Sequence, residues 1–222
     1  MLQIDKNVHK LYPDAKMGIL AMKNVDASAP ADPGAAVAAV EIIRSKYGHL
    51  NRAGLKALQP IQSYVNYYKN FGYSYHVLAQ LESILSGKRS LNAPSGLLAA
   101  MFQTELESML LTAGHDLSAL QLPLELKVAT GNEQYQSMSG KAVTTVSGDL
   151  MVCSGENAIS SILRGPDSQS RISKSTTGAL FTVYAPQGID TTTIQAMLKT
   201  LEGKIRAFSP GADTAELSVF ES

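Results

Sequence analysis

The chain changes its hydrophobic rhythm once, near its middle, and that change limits the folds open to it. From Ala35 to Ala113 apolar residues recur at helical spacing. After that come short β-rich runs: LELKVAT, YQSMSG, KAVTTV, DLMVCS, AISSILR and GALFTVYA, separated by Gly, Asn and Asp. One strand-like run, MGILAM (17–22), precedes the helical part. A helix, DTTTIQAMLKTLEGKIRAF, and a last strand, AELSVF, follow the strand-rich part. Helices and strands are segregated rather than alternating, which predicts an α+β fold and not a parallel βαβ sheet. A length of 222 residues suits a single domain over 1–222, with a helix-rich half about 10–120 and a strand-rich half about 121–222.

Local signals place the helices. VDASAPADPGA (25–35) reads as a loop. The stripe Ala36, Ala39, Val40, Ile43 and Tyr47 predicts a helix closed at Gly48. In LKALQPIQSYVNYYKNFG, Pro60 either kinks one helix or opens a second. HVLAQLESIL ends before Gly87, and the apolar pattern after Pro94 predicts a long helix from about Ser95 to Ala113, stopped by Gly114. Tyr64, Tyr67, Tyr68, Phe71, Tyr73 and Tyr75 could stack nucleobases, but their helical spacing favours packing.

Several chemistries have no foothold. The 19 basic and 19 acidic residues balance, so no general affinity for nucleic acid or anionic membranes is expected. Cys153 is the only cysteine and sits in an apolar run, which reads as buried and inert. His9, His49, His76 and His115 lack ligand spacing, so no metal is expected. Phosphate-loop, dinucleotide, zinc-hydrolase and nucleophile-elbow motifs are missing, and no cofactor is expected. No apolar stretch has the length of a membrane span and the N-terminus lacks signal-peptide character, so the chain reads as cytoplasmic.

Two stretches hold candidate site residues. On the helix after Pro94, a turn of about 100° per residue puts Glu105 inside the apolar stripe, beside Met101, Phe102 and Met109. A buried carboxylate costs several kcal/mol unless partnered, so Glu105 faces a polar cleft, pairs with a base such as Arg164 or Arg171, or lies on the watery margin. The second stretch is LRGPDSQSR (163–171), which sets two arginines and an acid around a Gly-Pro-Asp turn. From turn chemistry alone it is a hairpin tip with solvated charges.

A resemblance gives that turn another reading. LYPDAKMGILAMKNVD, YYKNFGYSYHVLAQLESILSGKRSLNAPSGLLAAMF, HDLSAL and GDLMVCSGENAISSILRGPDSQSRISKSTTGALFTVYAP follow in order. Together the layout resembles the B3/B4 domain family over residues 10–207. That domain is the editing module of the β subunit of bacterial phenylalanyl-tRNA synthetase, and it also occurs as freestanding proteins. The resemblance implies a compact three-layer α+β unit containing an unusual β-sandwich flanked by helices. It implies a pocket between the two halves that hydrolyses a mischarged aminoacyl-tRNA ester by positioning water, without metal or covalent nucleophile. The implied partner is tRNA or an aminoacyl group; the alternative is a non-catalytic RNA- or small-ligand-binding module that kept the fold. By the resemblance Asp167 takes the place of the family's substrate-reading glutamate, one methylene shorter, and Arg164 and Ser168 match freestanding members. Glu105 would be the general base, with Arg171 and His115 completing the candidate set. The family's Asn position falls on Phe102 or Ala99. Its His position falls near Ala113, with His115 two residues on, and the loop at Tyr75-His76 lacks the Arg-Pro-Ser of freestanding relatives.

Overall fold

A computed structural model describes residues 1–222. In chain order the elements are β1 (Leu2–Ile4), α1 (Lys6–Leu11), β2 (Lys16–Lys23), α2 (Pro33–Tyr47), α3 (Arg52–Ala57), α4 (Gln59–Asn70), α5 (His76–Leu85) and α6 (Gly96–Ser108). There follow β3 (Thr112–Asp116), β4 (Leu124–Val128), β5 (Gln134–Gln136), β6 (Ala142–Thr144), β7 (Leu150–Ser154), β8 (Asn157–Ser161), β9 (Gly165–Pro166), β10 (Gly178–Ala185), α7 (Thr191–Phe208) and β11 (Asp213–Glu221). The fold is α+β, as the segregated pattern predicts. The N-terminal pair β1 and α1 carries no clear sequence signal and was not anticipated.

Helix starts follow capping chemistry. Asp32 accepts a hydrogen bond from Gly34 N–H at 2.8 Å, with Pro33 opening α2. Pro60 stands in the first turn of α4, so it opens a new helix rather than kinking one. Ser95 caps α6.

The end of α6 departs from expectation. The helix stops at Ser108, and Met109 takes a left-handed conformation with φ +61°. Residues 112–114, expected to be the helix end and its glycine stop, belong to strand β3 instead. β3 pairs antiparallel with β10 from Thr112↔Val183 to Asp116↔Ala179. A partner so remote in sequence leaves no mark on local periodicity.

One sheet runs β11-β2-β10-β3, entirely antiparallel; a second runs β1-β4-β7-β8-β9, with β1 parallel to β4; β5 and β6 form a hairpin. Gly18 on β2 lets α7 lie close on the first sheet, since a Cβ there would stand 2.5 Å from Ile194 Cγ2. On β10, the Tyr184 hydroxyl hydrogen-bonds Ser160 of β8, which joins the two sheets. One apolar core continues through both sheets and the helices. Cys153 lies in a small separate cluster with Ala129, Met151 and Ala158, against Tyr135, and is buried and free.

The tyrosines of α4 and its exit loop are packing residues. Tyr64 stacks on Tyr75 with ring centres 4.5 Å apart. Their hydroxyls reach into the strand half: Tyr67 donates to Asp149 Oδ1 at 2.7 Å, and Tyr68 to the Ile162 carbonyl at 2.7 Å. These bonds fasten the helix-rich half to the strand-rich half. Of the tyrosines in this cluster only Tyr73 is exposed.

Candidate functional site

Between helices α5 and α6 and strands β3, β8 and β9 lies a cleft of about 350 Å³. Its walls are mostly apolar: Leu98, Met101, Leu111, Ile162 and Ile172, with Met138 and Phe102. Gln80 and His76 bring polar groups to it, and Glu105 is its one carboxylate. That volume and that mixture suit a small amphipathic ligand.

Glu105 is 5% exposed, so its burial matches the stripe read from the sequence. Neither Arg164 nor Arg171 pairs with it. Oε2 accepts the Thr112 backbone N–H at 2.9 Å, while Oε1 accepts no hydrogen bond from the chain. Burial pushes its carboxyl from the ordinary 4.5 up to about 7, and the Thr112 bond only partly opposes this. Such a group exchanges protons near neutrality. Phe102, expected on the buried stripe, is 39% exposed: it turns toward the cleft rim, while Met101 beside it is buried.

β3 adds a donor that no sequence pattern shows. Thr112 N–H goes to Glu105, and Asp116 N–H to the Ser170 carbonyl, both away from β10. Gly114 lies between them in an edge strand, so alternation turns its N–H the same way. Gly114 lines the cleft, and no loop carbonyl or side chain accepts its N–H. A side chain is excluded there, because a Cβ would stand 2.9 Å from both Ile172 Cδ1 and Met101 Sδ. The glycine thus leaves one wall of the cleft as bare backbone, close to Glu105.

The LRGPDSQSR segment is not a hairpin tip with solvated charges. Gly165-Pro166 pairs with β8 and lines the cleft, whereas Asp167 is 4% exposed. The Asp167 carboxylate accepts the N–H groups of Gln169, at 3.2 Å, and Ser170, at 3.3 Å, and the Ser170 hydroxyl. Ser170 Oγ also lies 2.7 Å from His115 Nδ1. The serine's only hydroxyl proton points at the carboxylate, so His115 must donate through Nδ1. The His115 ring is sealed, with burial pulling it from 6.5 down to about 4. This chain of bonds braces the strap 165–172 against β3, and Asp167 and His115 stand behind the cleft wall.

The remaining candidates lie outside the cleft. Arg164 Nε donates to the Thr144 carbonyl at 3.0 Å, and its guanidinium sits 5.5 Å over the Tyr73 ring. Ser168 and Arg171 line a shallow, polar depression with Asp116, Gln136 and Ser173. Of the six candidates, the structure therefore brings only Glu105 to the cleft. Gly114, His76 and Gln80 line the cleft without being among the six candidates, and the sequence marks the glycine only as an apparent helix stop.

No family model matches the chain, and no curated protein sequence matches it. Among solved structures it is similar to an N-terminal fragment of the phenylalanyl-tRNA synthetase β-subunit from Pyrococcus horikoshii, with a TM-score of 0.50 and 10% sequence identity. The alignment covers 96% of this chain and 50% of that one, so the chain spans about half the length of its structural neighbour. The likeness is one of fold alone: an α+β architecture related to that of a tRNA-synthetase subunit. No helix is long and apolar enough to cross a membrane.

Proposed function

We propose that the cleft binds an aminoacyl group and hydrolyses its ester to RNA, an editing-like reaction without a covalent intermediate. The observation that carries this reading is Glu105, buried in the cleft with one oxygen fixed by Thr112 N–H and the other free. A water held by Oε1 loses a proton to the carboxylate as its oxygen attacks the ester carbon. The Gly114 N–H is placed to receive the developing oxyanion. The tetrahedral intermediate then collapses, and the proton on Glu105 passes to the departing ribose oxygen. The apolar wall of Leu98, Met101 and Ile172 would hold the side chain of the amino acid.

In this reading Asp167 and His115 are positioning residues, since they set the strap that carries Gly165-Pro166 and Ile172. Ser168 and Arg171 lie on the outer face, where Arg171 is exposed and joins no ion pair, and would meet the RNA backbone, as would Arg164. The balanced charge of the chain favours a second reading, in which the cleft binds its ligand without turnover.

A deacylation panel over aminoacyl-tRNAs tests the proposal. Hydrolysis of one or more species above the spontaneous rate is expected. Background rates for every species, with saturable binding of an aminoacyl-nucleoside analogue, would replace it with the second reading; background rates and no binding would remove both.

A further inference from the structure

α6 has a second concave face. At about 100° per residue, Gly96, Ala100, Gln103 and Glu107 lie opposite Glu105 around the helix. They form the floor of a groove of about 340 Å³ between α2, α6 and α7, separate from the cleft. Its sides are unusually bare, with alanines from α2 and α6 facing it, and the Phe208 ring closes one end. Gly96 lets that ring lie against the helix, since a Cβ there would come within 3.3 Å of it. At the polar end Lys204 Nζ bonds Glu107 Oε1 at 2.7 Å, so both charges are already matched.

Gln103 differs from Lys204 and Glu107 in having no partner within the chain. It is 4% exposed, yet its amide neither donates to nor accepts from any group of the chain. The residue lines both the groove and a smaller cavity of about 150 Å³ under the loop before α6. The amide is not sealed like His115 Nε2: it reaches solvent and keeps its hydrogen-bonding capacity for a ligand. A glutamine offers a donor and an acceptor side by side, which is the complement of another amide edge.

We propose that this groove is a second ligand site, selective for a small planar molecule with an apolar body and one neutral amide-like edge. The edge pairs with Gln103, and the body lies along the alanine walls against Phe208. Lys204 and Glu107 neutralise each other, and the remaining charge, Asp32, is engaged in capping α2 through Gly34 N–H at 2.8 Å, so the polar contact left for a ligand is the neutral amide of Gln103. This inference is independent of the hydrolytic reading of the Glu105 cleft.

Nicotinamide and benzamide are suitable probes, with toluene as the matched molecule lacking the edge. In NMR titrations of the ¹⁵N-labelled full chain, the two amides are expected to shift the Gln103 side-chain resonances and those of Ala99 and Ala100. Toluene should bind at least about tenfold more weakly, the value of one or two hydrogen bonds. Gln103→Leu should weaken the amides by about tenfold and leave toluene unchanged. Ala38→Leu, at an exposed position that fills the groove without touching the core, should abolish binding of all three. The proposal is overturned if the amides shift only residues around Glu105, if they shift nothing, or if they bind Gln103→Leu as well as the wild type.

Discussion

Glu105 and Asp167 are buried almost equally, at 5% and 4% exposure, and both belong to the junction of the two halves. Their surroundings differ. Asp167 is ringed by donors from its own turn, Gln169 N–H, Ser170 N–H and the Ser170 hydroxyl, with His115 behind them. Glu105 has a single backbone donor on one oxygen and a cleft on the other side. The difference teaches that burial alone does not make an acid reactive. A carboxylate whose lone pairs are satisfied by fixed donors builds structure, while one held at a single oxygen keeps a free one for a ligand or a water.

The largest expected effect separates the two acids by activity. Glu105→Gln keeps an acceptor for Thr112 N–H but removes the base, and should lower deacylation by about 10²–10⁴-fold with the fold intact. Steady-state deacylation and a urea unfolding curve, run on the same sample, measure both halves of that statement. Asp167→Ala should do the reverse. It strands the buried N–H and hydroxyl of Ser170, so a loss of about 1–3 kcal/mol in stability is expected. Activity should fall only as far as the strap loosens; an Asp167→Ala protein of wild-type stability would erase the contrast.

A smaller effect appears in the pH dependence of stability. Burial depresses His115 from 6.5 to about 4, so between those values only the unfolded chain binds that proton. The His115 contribution is therefore present above pH 6.5 and is lost as pH falls toward 4, with a slope of about 1.4 kcal/mol per pH unit. Glu105 is raised from 4.5 to about 7, so the folded chain alone binds its proton in that window. Its contribution has the opposite sign, greatest below 4.5 and lost as pH rises through 7. The two slopes oppose each other between about pH 4.5 and 6.5, and His76, also lowered by burial, adds to the histidine side. Stability of Glu105→Gln, measured across that window, should regain a slope of about 1.4 kcal/mol per unit falling toward acid. A flat profile in the variant would show that the two groups are not opposed.

The smallest effect belongs to the outer face. Arg171→Ala removes an exposed, unpaired charge, and should change stability by no more than about 0.5 kcal/mol. In the editing reading it should weaken tRNA binding in a salt-dependent way while leaving hydrolysis of a minimal aminoacyl ester unchanged. Loss of activity on the minimal ester would place Arg171 functionally at the cleft, against the geometry that separates them.

Local pattern made much of the fold legible. The helices α2, α5 and α7, a helix boundary or kink at Pro60 and the apolar strands β2, β7 and β10 all rest on periodicity and capping within a few residues. The same reasoning placed Glu105 inside an apolar stripe and left its burial open. It misplaced the end of α6, because Met109 to Gly114 is apolar enough to continue a helix and its strand partner lies beyond residue 178. It also could not place Asp167. An acid in a Gly-Pro-Asp turn looks solvated until β8 and the strand bridge to Ser137 bury it.

The sequence by itself determined most element types, the segregated α+β order and the place of Glu105 within an apolar stripe. These follow from side-chain periodicity and from caps that act over one helical turn. Only the tertiary structure decided which buried acid keeps a free oxygen, that Gly114 presents a bare N–H beside it, and that Gln103 lies buried without a partner. Each depends on donors and walls supplied by segments far apart in the chain. Hydrogen-bond satisfaction of a buried group is a property of what surrounds it, and no local spacing encodes it.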